Sequence, residues 1–130
     1  MALAVARARQ GFTAIQFVAT QWRGCHSPRY GPLYTESAGG LRLNEAAFNA
    51  MDSWVEMINA AGMVAVPVML WANTPTCPGQ ALSEDACITV ARHMLERWGD
   101  RRVIWFLAGD GDYTPPQIAE RWKRIGRAVF

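Results

Sequence analysis

Residues 103–113 read Val-Ile-Trp-Phe-Leu-Ala-Gly-Asp-Gly-Asp-Tyr, an apolar run that stops at a glycine and two acids. Such a run is typical of a strand buried on both faces, as in parallel sheets. Gly109, Asp110, Gly111 and Asp112 then lie where the strand opens into a loop. Parallel α/β barrels carry their active sites at the carboxyl ends of the strands, so this position suits a catalytic acid. The alternative is a solvated turn in which an Asp caps the next helix.

The rest of the chain alternates strand-like and helix-like segments. Predicted strands span residues 13–20, 63–70 and 103–107, and predicted helices span residues 2–10, 44–61, 83–98 and 115–130. Asn44 and Ser83 are good N-caps, and Gly62 and Gly99 follow the last periodic residues of the two central helices. This order predicts a parallel sheet with right-handed crossovers.

The connections between these segments differ in length at the two ends of the sheet. Helices enter strands through short turns, whereas residues 21–43 and 71–82 form long connections from strand to helix. This asymmetry is typical of a (β/α)8 TIM barrel at its active face. A doubly wound sheet is the alternative, but no dinucleotide-binding or Walker glycine motif follows a strand. A full barrel needs about 250 residues, so we expect residues 1–130 to form a single partial TIM barrel.

Composition and charge exclude several classes of protein. The chain has 130 residues, of which 51% are hydrophobic and 18% charged, which is typical of a globular enzyme. The net charge is +2 and the basic residues are scattered, which argues against nucleic acid as a partner. No apolar stretch approaches the roughly 20 residues that span a bilayer, and residues 1–10 lack the apolar segment of a signal peptide. We therefore expect no membrane anchor, and localisation stays open because exported relatives would carry a signal ahead of Met1.

The cysteines predict neither a disulfide framework nor a metal site. Cys25, Cys77 and Cys87 are odd in number and lack the paired spacing of zinc ligands. We interpret them as ordinary thiols, and the adjacent Cys25 and His26 as an accidental pair, because sequence neighbours rarely point at each other. His93 is predicted to be a partly exposed helix residue. No cofactor or metal is predicted.

Three stretches, read in order, resemble one known family, the apiosidase-like glycoside hydrolases. They are residues 10–16 (Gln-Gly-Phe-Thr-Ala-Ile-Gln), residues 43–48 (Leu-Asn-Glu-Ala-Ala-Phe) with Met51-Asp52 and then residues 61–67 (Ala-Gly-Met-Val-Ala-Val-Pro) up to Trp71, and residues 103–110 (Val-Ile-Trp-Phe-Leu-Ala-Gly-Asp). The last is similar to the family's Trp-x-Leu-Gly-Gly-Asp, with Ala108 in place of the first of the two glycines. Together they span nearly the whole chain.

The resemblance implies a retaining glycosidase barrel that acts on O-glycosidic bonds of plant or microbial polysaccharide side chains, such as apiose in a branched plant pectin. It implies that Thr13, Met63 and Val103 open strands two, three and four of the barrel. Asp110 then falls at the position of the general acid/base, at the end of strand four. The nucleophile, a carboxylate of strand seven, has no counterpart in this chain.

The residue types near Asp110 suit this chemistry. Retaining glycosidases need one carboxyl that protonates the leaving oxygen and a second that attacks the anomeric carbon. Trp71 and Trp105 would provide apolar surroundings that favour the protonated acid, and the negative charge of Asp112 would act in the same direction. We therefore predict Asp110 as the catalytic residue.

Residues in the same loops are candidates for binding a sugar. Trp71, Trp22 and Tyr113 offer flat apolar faces for sugar rings, each with a polar tip. The candidates for hydrogen bonds to the substrate are Asn73, His26 and Asp112. Packing in the core or at its rim is the alternative for every aromatic residue, and it is preferred for Trp54, Trp98 and Trp105.

Two other functions compete with the glycosidase. Residues 110–114, Asp-Gly-Asp-Tyr-Thr, match the D-x-D-x-T pattern of magnesium-dependent haloacid-dehalogenase-like phosphotransferases. That motif belongs in the first strand of its domain with a lysine downstream, whereas here it is late in the chain and Lys123 is the only lysine. The other alternative is a catalytically incomplete barrel fragment that at most binds carbohydrate. A part-barrel leaves strand edges unpaired at residues 13–20 and 103–107, so we also expect self-association.

Overall fold

The computed structural model describes residues 2–20 and 30–130. In chain order the elements are α1 (Ala2–Arg9), β1 (Ala14–Val18), β2 (Tyr34–Ser37), β3 (Gly40–Leu43), α2 (Glu45–Ala60), β4 (Val64–Leu70), α3 (Pro78–Ala81), α4 (Glu84–Trp98), β5 (Phe106–Ala108) and α5 (Pro116–Val129).

Three strands form a parallel sheet in the order β1-β4-β5. Ala14 pairs with Val64 across the first interface, and Val68 pairs with Phe106 across the second. The three predicted strands are therefore adjacent in chain order and parallel, which confirms the α/β architecture. β5 is shorter than predicted, although Val103 adds an isolated parallel bridge to Ala65 before it.

The hydrophobic core lies between one face of this sheet and the helices α2, α4 and α5. Its most deeply buried large side chains include Phe48, Met63, Met69, Met94, Trp98 and Ile125. Trp105 and Leu107 pack against this core. Ile104 and Phe106 point to the opposite face because side chains alternate along a strand, and they are 53% and 46% exposed. In a closed barrel that opposite face lines the interior.

The two central helices begin and end where the sequence predicts. The Asn44 side chain accepts a hydrogen bond from the amide of Ala47 at 3.3 Å, and Ser83 accepts one from Ala86 at 3.2 Å. These bonds satisfy amides of the first turn that have no partner within the helix. Gly62 follows α2 with a φ of 88°, a left-handed conformation that glycine adopts at low cost. The caps thus set the direction in which each helix runs against the sheet.

Both long connections contain structure that the sequence did not reveal. β2 and β3 pair as an antiparallel hairpin within residues 21–43, and α3 forms a short helix within residues 71–82. The two strands are joined by a turn at Ala38-Gly39, and Gly40, with a φ of 97°, begins β3 opposite Ser37. Trp54 is 46% exposed on α2 and touches Phe17 edge-on with ring centroids 6.5 Å apart, which agrees with packing at the rim of the core.

Candidate functional site

The loops that follow β4 and β5 meet at the carboxyl edge of the sheet. The amide of Gly109 donates to the carbonyl of Leu70 at 2.9 Å, which continues the pairing of the two strands by one residue. The Trp71 indole lies directly against Gly109, since a Cβ at that glycine would come within 2.2 Å of the ring atom Cε3. A Cβ at Gly111 would lie 3.1 Å from the carbonyl oxygen of Ala72. Glycines at both positions therefore allow the two loops to pack closely.

Asp110 is exposed and is the second residue after β5, at the edge where the two loops meet. Tyr113 folds back over this position, and its hydroxyl donates to the carbonyl oxygen of Gly109. Burial raises the pKa of Tyr113, and the negative charge of Asp110 raises it further. The phenol is thus held close to Asp110 and keeps its proton.

Asp112 has a local structural role in the turn before α5. Its Oδ1 accepts hydrogen bonds from the Thr114 hydroxyl at 2.6 Å and from the Thr114 amide at 3.0 Å. These two bonds lower the pKa of Asp112, the hydroxyl bond contributing most. An Asp that bonds two residues ahead is typical of an Asx turn, so the turn part of the alternative fits this residue. The capping part is wrong, because Pro115 and not an Asp is the N-cap of α5. Asp112 stays ionised at neutral pH.

The structure brings together four of the predicted site residues, Trp71, Asp110, Asp112 and Tyr113, on the two adjoining loops. Asn73 lies exposed in the loop after β4. Trp22 and His26 fall outside the described residues, as does Cys25. These placements leave the individual sugar-binding assignments as predictions.

Trp105 does not provide the expected apolar wall beside Asp110. Its indole stacks on Trp98, with ring centroids 6.3 Å apart and an interplanar angle of 10°. It therefore belongs to the packing between the sheet and the helices, the alternative that we preferred for this residue. The reason is that side chains alternate between the two faces of the sheet, and those of residues 105 and 107 point toward the helices.

A cleft of about 310 Å³ opens between α3, the loop after β5 and α5, and Asp112 lines it whereas Asp110 does not. Its lining includes Gln80 from α3, Tyr113 from the loop after β5, and Arg121 and Trp122 from α5. Sequence reasoning missed Gln80, Arg121 and Trp122, although Ile118 and Trp122 stand four residues apart on α5 and thus share a helix face. Only the packing of α5 against the two loops places that face in a cleft.

The cysteines and the histidine of the described residues agree with the predictions made for them. Cys77 and Cys87 are buried free thiols, as expected for ordinary cysteines. His93 is 19% exposed, with Nε2 at 3.1 Å from Oε1 of Glu45, which confirms its predicted partial exposure. Within residues 2–20 and 30–130, no group of three or more His, Cys, Asp or Glu side chains is arranged to hold a metal ion. No helix in these ranges is long and apolar enough to cross a bilayer.

Solved structures show which class of protein this architecture defines. A glycoside hydrolase family 5 protein from Bacteroides vulgatus is similar with a TM-score of 0.66 and 14% identity, covering 98% of this chain and 29% of its own length. A second structure, titled glycoside hydrolase, has a TM-score of 0.63 and 15% identity, with 98% of this chain and 30% of its own length covered. The fold is therefore a partial TIM barrel of the glycoside hydrolase type, and the chain spans about a third of these relatives.

The sequence profile of the apiosidase-like catalytic domain matches residues 2–130. The chain belongs to this family. Among curated proteins, none matches significantly. Family membership confirms the resemblance read from the three sequence stretches, and it favours a glycosidase over the magnesium-dependent phosphotransferase.

Proposed function

We propose that this chain contributes the general acid/base, Asp110, to a glycosidase that cleaves O-glycosidic bonds in side chains of plant or microbial polysaccharides. The observation that carries the proposal is the position of Asp110, exposed at the carboxyl edge of a parallel barrel sheet beside Trp71 and Tyr113. Barrel enzymes place their catalytic groups at this edge. Membership of the apiosidase-like family supports the same chemistry.

The two acids of the loop are suited to different roles. Asp110 is exposed to an approaching substrate, whereas Asp112 is fixed by Thr114 at the base of α5. A general acid gives its proton to the oxygen of the departing sugar and then, as a base, activates the water that releases the product. We assign that part to Asp110. We assign the nucleophile, which retaining enzymes hold roughly 5 to 5.5 Å from the acid, to a carboxylate of a later barrel strand that residues 1–130 do not contain.

The sugar-binding part of the proposal rests on the aromatic side chains of the two loops. Trp71 presents an indole beside Gly109, and Tyr113 lies next to Asp110. Flat aromatic faces stack on the apolar faces of sugar rings. We assign Trp71 and Tyr113 to such contacts. Trp22 is a further candidate for stacking, and Asn73, His26 and Asp112 are candidates for hydrogen bonds to the substrate.

Leaving-group dependence tests the acid in the native polypeptide that carries this sequence. Asp110→Asn should lower turnover of substrates with poor leaving groups by about two to four orders of magnitude, since that is the typical contribution of general acid catalysis. Aryl glycosides with good leaving groups should be spared in the glycosylation step, because they need no proton.

Asp112→Asn is the matched control, one loop position away and with the same change of side chain. It should have a much smaller effect on both substrate types. Equal losses of Asp110→Asn on good and poor leaving groups would show that Asp110 only positions the sugar, and would overturn the assignment.

Sugar binding without turnover is a second candidate. It is favoured by the short span of the chain, which covers 29% and 30% of two similar glycoside hydrolase structures. Incubation of the 130-residue chain with aryl glycosides separates the two functions. The enzyme is supported if the chain releases the aryl alcohol and Asp110→Asn abolishes this release for poor leaving groups. The binding fragment is supported if the chain binds saccharides without releasing the aryl alcohol.

A further inference from the structure

The phenol tip of Tyr113 touches the residues on either side of Asp110. Its hydroxyl donates to the carbonyl oxygen of Gly109. At Gly111, a Cβ would lie 3.1 Å from the ring atom Cζ and 3.1 Å from the hydroxyl oxygen of Tyr113. The tip therefore bridges the two glycines that flank Asp110, and it closes residues 109–113 on themselves.

The ring of Tyr113 is held in turn from α5. Tyr113 and Trp122 meet edge to face, with ring centroids 6.1 Å apart and an interplanar angle of 73°. Trp122 packs against Gly79 of α3, where a Cβ would lie 3.0 Å from the ring atom Cζ2. The guanidinium of Arg121 lies 5.4 Å from the centroid of this indole and donates to the carbonyl of Gly79 at 2.6 Å. Close packing of this kind restricts the rotamers of the phenol, so its hydroxyl has a fixed place.

Further hydrogen bonds fix the two ends of the same loop. The Gly109 amide donates to the carbonyl of Leu70 at 2.9 Å, which joins the start of the loop to β4. Oδ1 of Asp112 accepts from the hydroxyl and the amide of Thr114, which shapes the turn before α5. Asp110 is exposed between these points. The direction of its Cα–Cβ bond therefore depends on the backbone that these contacts hold.

The position of the carboxyl is critical for a general acid. The carboxyl must reach the leaving oxygen at hydrogen-bond distance, and a misplacement of about 1 Å can cost about a hundredfold in rate. The hydroxyl of Tyr113 can hold this geometry at neutral pH, because burial and the negative charge of Asp110 raise the pKa of the phenol. It therefore keeps its proton and its bond to Gly109.

We propose that the hydroxyl of Tyr113 is a positioning group, which holds the backbone on both sides of Asp110 and thereby directs the carboxyl toward the leaving oxygen. This inference rests on the proposed glycosidase function of Asp110. It separates two parts of one side chain. The ring of Tyr113 is the candidate for stacking on a sugar, whereas the hydroxyl acts through Asp110.

Tyr113→Phe, in the native polypeptide that carries this sequence, removes the hydroxyl and keeps the ring. With poor leaving groups, we expect kcat to fall by about tenfold to about a hundredfold and KM to change by less than about twofold. Aryl glycosides with good leaving groups should be spared in the glycosylation step, because they need no proton. A raised KM with parental kcat would overturn the proposal, because it would assign the hydroxyl to substrate binding.

The double variant Asp110→Asn with Tyr113→Phe tests whether the hydroxyl acts through the acid. If it does, its removal has no further effect once the acid is gone. The double variant should then match Asp110→Asn with poor leaving groups. Losses that multiply would show that Tyr113 acts independently of Asp110, and would overturn the proposal.

Tyr30→Phe is the matched control. Tyr30 is 37% exposed, compared with 36% for Tyr113, and it lies outside the loop that carries Asp110. Its substitution should leave the dependence on the leaving group unchanged. The same change of this dependence in Tyr30→Phe as in Tyr113→Phe would contradict a specific role of the Tyr113 hydroxyl.

Backbone hydrogen–deuterium exchange, followed by mass spectrometry, gives a readout that is independent of activity. Tyr113→Phe should speed exchange in residues 109–113 by about tenfold or more, because the loop opens more often, and Tyr30→Phe should not. Faster exchange together with full activity of Asp110→Asn would contradict the proposed function and leave the contact of Tyr113 with the loop intact. Parental kcat of Tyr113→Phe with poor leaving groups, when Asp110→Asn is impaired, would overturn the positioning role alone.

Discussion

Single residues at the carboxyl edge determine how closely the two loops approach each other. Gly109 and Gly79 each sit where a Cβ would come within 3.0 Å of another group. Contacts that short force a neighbour to move, so both glycines are required by packing and not by an unusual backbone angle. The ring of Trp71 therefore owes its place beside Asp110 to the absence of a side chain at position 109.

Gly109→Ala tests this packing. The added methyl collides with the Trp71 indole, and we expect a loss of about 1 to 3 kcal/mol in the free energy of unfolding. Gly126→Ala is the matched control in α5, where the new Cβ would be 3.5 Å from the nearest atom, in Leu107. It should be neutral or stabilise by up to about 1 kcal/mol, because alanine is the better helix former. Urea denaturation measures the free energy of unfolding of both variants. Equal stability of the two variants would contradict the steric argument.

At the scale of elements, α2 and α4 are joined by a polar network on the outer side of the core. Asp52 of α2 accepts hydrogen bonds from Arg97 at 2.5 Å and from the Trp98 indole at 2.7 Å. Burial raises the pKa of Asp52, but the bonds from Arg97 and Trp98 outweigh it and lower that pKa below its usual value. The network holds the two helices in register where both cover β4.

Acid should weaken this link between the helices. A carboxyl with a lowered pKa in the folded state stabilises the fold above its unfolded pKa, about 3.9 for Asp, and loses that contribution as the pH falls through the folded value. We expect Asp52→Asn to cost about 1 kcal/mol at pH 7, because the 34% exposure of the side chain reduces the effect. The substitution should also flatten the loss of stability below about pH 4.

Glu120→Gln is the control for this prediction. Glu120 pairs with Lys123 at 2.6 Å on the exposed surface of α5, and surface pairs of this kind contribute little. Denaturation midpoints between pH 2 and 7, compared among the parent and both variants, give the result. If the stability of Asp52→Asn falls with decreasing pH as steeply as that of the parent, carboxyls other than Asp52 cause the loss of stability in acid.

For the whole molecule, the sheet has apolar groups on its open face. Within the described residues, β5 pairs only with β4, and its Ile104 and Phe106 are half exposed. An unpaired edge strand with apolar side chains is a template for association. We therefore propose that the isolated chain self-associates through this edge.

Sedimentation velocity over a range of concentrations tests self-association. The parent chain should sediment faster as its concentration rises, and Phe106→Lys should suppress this, because a charge on an edge strand opposes pairing. Trp54→Lys is a matched control, since Trp54 on α2 is also 46% exposed. A parent chain that stays monomeric at all concentrations would contradict the proposal.

The sequence by itself determined the alternation of the parallel elements and the position of Asp110. Both depend on local signals, namely the apolar runs of the strands, the caps at Asn44 and Ser83, and the glycine that ends the third strand. Such signals extend over a few residues and can be recognised in the sequence without knowledge of the fold. The three family stretches added the class of chemistry, because they are spread over nearly the whole chain.

Only the tertiary structure determined which side chains of the loops meet and which partners they bind. It directed Trp105 into the core, fixed Asp112 on Thr114, and combined Gln80, Tyr113 and Trp122 in one cleft. These residues are far apart in sequence, and their meeting depends on how α5 packs against the loop after β4. Local propensity contains no information on such long-range contacts, which is why the position of Asp110 after β5 was predictable and the cleft was not.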